Sequence, residues 1–386
     1  MSACSRCGKC HSFCPVYRVY RDERYSPRGK YHLLDPEAVS RVEAEFLDDL
    51  IWACLQCGAC HAECPSQAHV DELIRSFRER GGAPRYLREV LNFIKDPKWQ
   101  GHIVLKRIKG LSSRIGLFSR LVKLTPWGMP KFPRTSFLDG LKSADDPRAA
   151  GEISLFVGCV QNHVFPQIPS KAMELSAKSF FVPLEQTCCG LPAWTSGLVD
   201  TAREFAWRNL KSLFRDDTRH ILTLCSSCAY TIREVWPRLF DPGTDQWELA
   251  RRAADVLLDM DEYIHDIGGG LISKTDKKKA LLHLPCHVRY AKHRGPSDKG
   301  YPGCVIVGVI NACCGHGGSF SNRYSEVSRE IFKEAVSMAG DIDFDVVLTN
   351  CSGCLMQWSM ALEQSNPWGD RGRRVEVLHP VELLRS

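Results

Sequence analysis

Short apolar runs punctuate the chain after residue 150, and each stops just before a cysteine. Ile153-Ser-Leu-Phe-Val157 leads into Gly158-Cys159, and Ile221-Leu-Thr-Leu224 into Cys225. Ala280-Leu-Leu-His-Leu284 leads into Pro285-Cys286, and Val346-Val-Leu-Thr349 into Asn350-Cys351. Runs this short, bounded by loop residues, read as buried strands. Segments of helical character lie between them, for example 171–180. Strands alternating with helices predict parallel α/β layers, which gather ligands at the carboxyl ends of their strands. The halves 151–270 and 278–386 read as internal repeats, with Gly268-Gly269-Gly270 at their boundary.

The pattern before residue 150 is different. Val39, Val42, Phe46, Leu47, Leu50 and Ile51 recur at steps of three and four, which predicts a helix over 36–52 and a mostly helical domain over 1–85. Residues 86–150 read as a connector. No acidic residue lies between Asp96 and Asp139, while Lys98, Lys106, Arg107, Lys109, Arg114, Arg120, Lys123, Lys131 and Arg134 do. The apolar residues among them, from Ile103 to Trp127, give a basic amphipathic stretch. It suits a linker covering a neighbouring site or partner, or contact with anionic lipid. Gly110 and Gly116 weaken any single long helix there.

Composition adds bounds. A chain of 386 residues with 44% apolar content can build two or three ordinary cores. A net charge of +6 does not point to nucleic acid. No run reaches the roughly 18 apolar residues of a membrane span, so membrane contact is expected to be peripheral at most.

The chemistry lies in the cysteines, of which there are 19. Cys4, Cys7, Cys10, Cys14-Pro15 and Cys54, Cys57, Cys60, Cys64-Pro65 are two copies of C-x2-C-x2-C-x3-C-P. This is the spacing that holds cubane [4Fe–4S] clusters in bacterial-type ferredoxins. Three thiolates at three-residue steps wrap one cube, and the fourth, followed by proline, turns to the other. The expected ligand sets are therefore Cys4, Cys7, Cys10 and Cys64 for one cluster, and Cys54, Cys57, Cys60 and Cys14 for the second. Structural zinc needs neither the third step nor the Cys-Pro ending. A disulfide framework does not suit a chain of this length that reaches Cys4 without a leader. Thiolate ligands point to a reducing compartment, the cytoplasm or the inner face of its membrane.

A second set of cysteines repeats in one order: Cys159, Cys188-Cys189-Gly190, Cys225-Ser-Ser-Cys228, and then Cys286, Cys313-Cys314-Gly315, Cys351-Ser-Gly-Cys354. Adjacent cysteines suit a site with unusual ligand geometry or two metal centres, and the glycine after each pair permits close approach and positive φ. Zinc in one repeat stays open. Cys304 stands outside the scheme and reads as a bystander thiol. His11 and His61 follow the third cysteine of each ferredoxin run; His287 follows Cys286 and His316 follows Gly315. These suit shielding, hydrogen bonding to a site or proton supply, and His163 is a weaker case.

The repeated C…CCG…C-x-x-C resembles the cysteine-rich CCG domain of the heterodisulfide reductase catalytic subunit. Its pairing with a two-cluster ferredoxin module resembles a wider family that includes the iron–sulfur subunits of glycolate oxidase and anaerobic glycerol-3-phosphate dehydrogenase. Cys-Pro-Val-Tyr at 14–17 and Ser-Pro-Arg-Gly-Lys at 26–30 resemble the first module of the glycolate oxidase subunit. Cys-Cys-Gly-His-Gly-Gly-Ser-Phe at 313–320 and Cys-Ser-Gly-Cys-Leu-Met-Gln-Trp at 351–358 resemble the lactate-utilisation and glycerol-3-phosphate branches. The glycolate oxidase subunits tend to lose the first cysteine of the final C-x-x-C, whereas both repeats here are complete. The resemblance implies one or two noncubane [4Fe–4S] clusters on the repeat cysteines, meeting at the repeat interface. It also implies that Cys189 and Cys314 are the candidates if disulfide chemistry occurs there.

No G-x-G-x-x-G follows a strand, so FAD or another hydride acceptor is expected on a partner rather than on this chain. A flavoprotein partner follows, because flavin passes electrons singly. The expectation is an iron–sulfur relay subunit of an oxidoreductase, between a flavoprotein dehydrogenase of a 2-hydroxy acid or similar substrate and a quinone, cytochrome or other acceptor. The alternatives are a disulfide-reducing catalytic subunit and a module of a soluble bifurcating or low-potential reductase complex. A zinc-stabilised interaction protein is a third class.

Overall fold

The computed structural model describes residues 4–95, 126–128, 130–142, 151–176, 180–264, 272–273, 277–290, 300–365, 368 and 375–385. Most of the basic amphipathic stretch, residues 96–125, and the Gly268-Gly269-Gly270 boundary lie outside the described residues.

The N-terminal module is helical, as its periodicity predicts. Its largest helices are Pro15–Tyr20, Pro27–Leu33, Ala44–Trp52 and Val70–Gly81, packed around Leu34, Leu50, Ile51, Val70 and Ile74. The helix expected over 36–52 is two helices, Pro36–Val39 and Ala44–Trp52. Asp35 caps the first through the Glu37 N–H, and the chain re-enters the second through Glu43 in extended conformation. Only the second half of the apolar stripe reaches the core, at Leu50, Ile51 and Trp52, so packing holds that half alone in a longer helix.

Beyond residue 150 two parallel sheets repeat one topology. In the first, β1 (Ile153–Phe156), β2 (Phe180–Phe181), β3 (His220–Thr223) and β4 (Leu257–Asp259) take the order β2-β1-β3-β4. After the short β5 (Ile272–Ser273) come β6 (Lys278–His283), β7 (Cys304–Ile310), β8 (Val346–Leu348) and β9 (Glu376–Leu378), in the equivalent order β7-β6-β8-β9. All pairings within both sheets are parallel. The helical segment expected over 171–180 runs from Gln167 to Ser176, and Phe180–Phe181 instead forms edge strand β2 against Ile153 and Ser154. Two adjacent aromatic residues suit a strand packed on the core better than a helix end.

The repeats share a core. Leu155, Leu222 and Leu224 of the first pack in one cluster with Ala280, Val346 and Leu348 of the second and with Val381 and Leu384 near the C-terminus. β10 (Leu384–Arg385) returns antiparallel to β5. After the last strand of each sheet stands a capping box, Asp259 with Glu262 and His379 with Glu382. Each box region reaches across to the residue before the other repeat's C-x-x-C. Asn350 Nδ2 donates to Asp261 Oδ2 at 3.1 Å, and His379 Nε2 donates to Leu224 O at 2.7 Å.

The helical module docks on both repeats. Arg78 is buried and donates to Ile51 O (2.9 Å) and Cys54 O (2.8 Å) of its own module and to Thr195 O (2.7 Å) of the first repeat. Gly197 lets that helix approach, since a Cβ there would overlap the backbone of Arg78 and Glu79. On the other side, Tyr324 of the second repeat donates to Asp49 Oδ1 at 2.9 Å, and Arg323 pairs with Asp48.

Candidate iron–sulfur centres

The two ferredoxin-type runs adopt the same backbone. Arg6 and Gly8 have φ of +58° and +76°, and Gln56 and Gly58 have +54° and +76°. A left-handed non-glycine residue after the first cysteine is uncommon, and it turns the next N–H groups inward. Gln56 N donates to Cys54 Sγ at 3.4 Å, Tyr17 N to Cys14 Sγ at 3.5 Å and Ala68 N to Cys64 Sγ at 3.3 Å.

The contacts group cysteines from both runs. Cys14, Cys54, Cys57 and Cys60 line one cavity together with Lys30 and Asp71. Burial pushes the Cys57 thiol up to about 12 and raises those of Cys14 and Cys60, with the neighbouring cysteines adding to the effect. Ser66 Oγ donates to Ser5 Oγ at 2.8 Å, which brings the Cys64 segment beside Cys4. Cys10 is pushed up to about 11 by burial and feels the charge of Cys4 and Cys14. Four partly buried thiols facing one cavity are unfavourable as bare thiolates and favourable as ligands to a cationic iron–sulfur core. The residues fit such a group.

In the α/β repeats a cysteine sits at the carboxyl end of each central strand, and the five cysteines of each repeat converge. Cys159 Sγ lies 3.6 Å from Cys188 Sγ, and Cys314 Sγ lies 3.2 Å from Cys354 Sγ. Sulfur contacts with Cys188 and then Cys228 hold Cys189 well below its ordinary value, and those with Cys313 and then Cys354 do the same for Cys314. Gly190 N and Gly315 N donate to the first thiol of each pair, at 3.5 Å and 3.3 Å. Both glycines have positive φ, and a Cβ on Gly315 would stand 2.5 Å from Ser328 O. Trp236 Nε1 and Asn209 Nδ2 fix the first loop through Cys189 O and Cys188 O, each at 2.9 Å.

The two five-cysteine sets meet at their C-x-x-C motifs. Cys225 and Cys351 interact directly, and Ser352 N donates to Cys225 Sγ at 3.4 Å. Ser227 Oγ lies 3.1 Å from Cys351 Sγ and 2.8 Å from His287 Nδ1. Tyr230 stacks on the His287 ring at 4.5 Å, and His287 Nε2 is buried without a hydrogen-bond partner. Burial holds His287 down to about 4 and lowers His316. Cys286 and Cys313 also feel the charge of Cys57, which places the second repeat's set next to the cavity of the helical module.

Residues 1–68 match the family "4Fe-4S dicluster domain", and residues 153–233 and 280–359 each match the family "Cysteine-rich domain". The chain therefore carries one 4Fe-4S dicluster domain and two copies of the cysteine-rich CCG domain. It is similar to Lactate utilization protein A of Anoxybacillus flavithermus, with 28% identity over 250 residues, 60% of this chain and 98% of that protein. Lactate utilization protein A 1 of Bacillus anthracis is 26% identical over 253 residues, 60% and 97% respectively. Lactate utilization protein A of Geobacillus sp. is 28% identical over 251 residues, 61% and 99%. The first of these family descriptions names 4Fe-4S clusters, which agrees with the fit of the cysteine sets of the helical module.

The remaining sequence candidates fall into place around these sets. His11 lies 3.1 Å from Glu23 Oε2 and packs on Tyr17. His61 lies 3.3 Å from Asp71 Oδ1, which raises its proton affinity. His163 contacts Asn162 at 3.2 Å. Cys304 is at the start of β7, with its thiol 3.5 Å from Tyr301 O. Sequence reasoning missed Ser227, Arg78 and Lys30 as residues around the sets. Ser227 had no signal of its own. Lys30 carried one, as the last residue of the Ser-Pro-Arg-Gly-Lys segment at 26–30.

Proposed function

We propose that this chain is the iron–sulfur electron-transfer subunit of an oxidoreductase, relaying single electrons between a flavoprotein dehydrogenase and a quinone, cytochrome or other acceptor. The observation that carries the reading is the series formed by the cysteine sets. Cys57 of the helical module faces Cys286 and Cys313, and Cys351 of that set meets Cys225 of the next. Bound clusters supply reversible one-electron chemistry. The chain's own residues supply the rest: thiolate ligands, backbone donors to sulfur, burial that excludes water, and a fixed order of sets.

In this reading Cys4, Cys7, Cys10 and Cys64, and Cys54, Cys57, Cys60 and Cys14, hold two cubane clusters. The ten repeat cysteines hold one or two noncubane clusters. The relatives' name, lactate utilization, supports a 2-hydroxy acid as the substrate of the partner dehydrogenase. A cytoplasmic site of action, at most peripheral on the membrane, accords with cysteines kept as thiolates. Among the described residues no helix is long and apolar enough to cross a membrane.

A second reading is favoured by one specific observation. The complete sets meet at Cys225 and Cys351 with Ser227 and His287 beside them, an arrangement suited to a disulfide substrate. Anaerobic affinity purification with identification of the associated flavoprotein tests the first reading. A hydroxy-acid dehydrogenase that reduces the chain supports the relay, and a chain that no flavoprotein reduces rejects it. Replacing Cys189 or Cys314 with Ala tests the second. Loss of disulfide reduction with the cubane signals retained supports it, and unchanged turnover sinks it.

A further inference from the structure

The segment Ser26-Pro27-Arg28-Gly29-Lys30 sends one cation to each cysteine set of the helical module. Ser26 caps the helix Pro27–Leu33 by accepting from Gly29 N at 2.8 Å. Gly29 has no space for a side chain, because a Cβ would overlap Glu23 O. That close approach aims the residues on either side of it in different directions. Arg28 goes to the outer set: its N–H bonds the Cys10 thiol, and its guanidinium donates to Arg6 O at 2.9 Å. This guanidinium is also paired with Glu23 at 2.8 Å, and its side chain is 28% exposed.

Lys30 goes to the inner set and is only 3% exposed. Its ammonium donates to Ala53 O, in the cavity walled by Cys14, Cys54, Cys57 and Cys60. Among the described residues no carboxylate lies within ion-pair distance of it. Asp71 lines the same cavity but faces His61, and the other nearby cation, Arg78, bonds the carbonyls of Ile51, Cys54 and Thr195. A buried ammonium with no carboxylate is costly unless another negative group compensates it. With Asp71 turned to His61, the four thiolates are the negative groups left to compensate it.

We infer that Lys30 is a built-in counter-charge for the inner cysteine set, and that it raises the reduction potential of whatever cluster that set holds. The inference rests on the reading of Cys14, Cys54, Cys57 and Cys60 as a cluster site. Reduction there by a one-electron donor, a flavoprotein in function or dithionite in the test, adds one electron and no proton. The site therefore becomes more negative by one charge. In a low-dielectric cavity a fixed positive charge favours that state over the oxidised one. The effect is local, because Arg28 and the outer set lie on the other side of Gly29.

The test is a redox titration of the full chain, purified anaerobically and followed by electron paramagnetic resonance. Cys7→Ser identifies the signal of the outer set. Iron and acid-labile sulfide analysis of the unmodified chain first decides the cluster reading on its own: their absence removes that reading. With clusters present, Lys30→Gln is expected to shift the inner midpoint to more negative potential and leave the outer one unchanged. An unchanged inner midpoint, or an equal shift of both, overturns the inference. Lys30→Arg retains the charge and is expected to hold the inner midpoint near its original value. If Lys30→Gln loses the inner cluster, retention by Lys30→Arg supports the counter-charge, and loss in both variants assigns Lys30 to packing and overturns it.

Discussion

At the scale of single residues, buried polar groups define the surroundings of the cysteines. His379 is a clear case, because both ring nitrogens have fixed roles. Nδ1 accepts from Val381 N at 3.2 Å and Nε2 donates to Leu224 O at 2.7 Å, which requires the neutral ring. Burial holds its pKa down to about 4 from an ordinary 6.5. The stability this provides is complete above the unfolded value and is lost as pH falls through the window toward the folded one. Between pH 7.5 and 5.5 the urea midpoint is therefore expected to fall, and His379→Gln, which can still donate to Leu224 O, is expected to reduce that fall. An equal fall in both proteins would remove the assignment. Gly29 makes a different demand: with Glu23 O in the way of any Cβ, Gly29→Ala is expected to displace Arg28 and Lys30 together. Iron content per chain reads this, and full retention of iron would show that the segment tolerates the shift.

At the scale of elements, the helix Val70–Gly81 carries the docking of the module. Arg78 satisfies carbonyls at the end of the helix Ala44–Trp52, in the loop to Cys54 and in the first α/β repeat. Arg78→Met leaves those buried acceptors unpaired, and at about 1–3 kcal/mol for each unsatisfied buried group the change is expected to cost several kcal/mol. Chemical denaturation measures it, and a loss below about 1 kcal/mol would mean that water replaces the guanidinium. These elements were legible in the sequence to different degrees. The four strands were, since Ile153, Ile221, Ala280 and Val346 each open runs buried on both faces. Strand β2 was not, because two residues carry no period and Phe180–Phe181 becomes a strand only through pairing with β1. The break at Ser40–Glu43 was hidden for the converse reason: the apolar spacing continues through it, and only the core decides which half of the stripe is used.

At the scale of the whole molecule, the contact between the helical module and the second repeat decides whether the sets work as a series. Leu55, next to Cys54, packs where a Cβ on Gly317 would lie, and Gly317 has φ of +52°. Gly317→Val alters no cysteine but forces this surface apart. Electron transfer from the module to the repeat sets is expected to slow by at least about tenfold, equivalent to 1.4 kcal/mol or more of barrier, with iron content unchanged. Stopped-flow reduction monitored at both classes of signal measures this. An unaltered rate would mean that the Leu55–Gly317 contact is not on the route.

The sequence alone determined the spacing of the cysteines, the helical module and the paired parallel α/β repeats, because these follow from local pattern. Cysteines at three-residue steps, Cys-Cys-Gly pairs and short apolar runs are all read along the chain. Tertiary structure alone decided how the sets are placed relative to one another. Cys57 faces Cys286, Cys225 meets Cys351, and Lys30 enters the cavity of Cys54. Those pairs join residues from different elements, brought together by the shared core of the repeats and by Arg78 and Gly197 at the docking surface. A linear pattern specifies which face of an element is buried, but the partner it is buried against is chosen by the free energy of the complete fold.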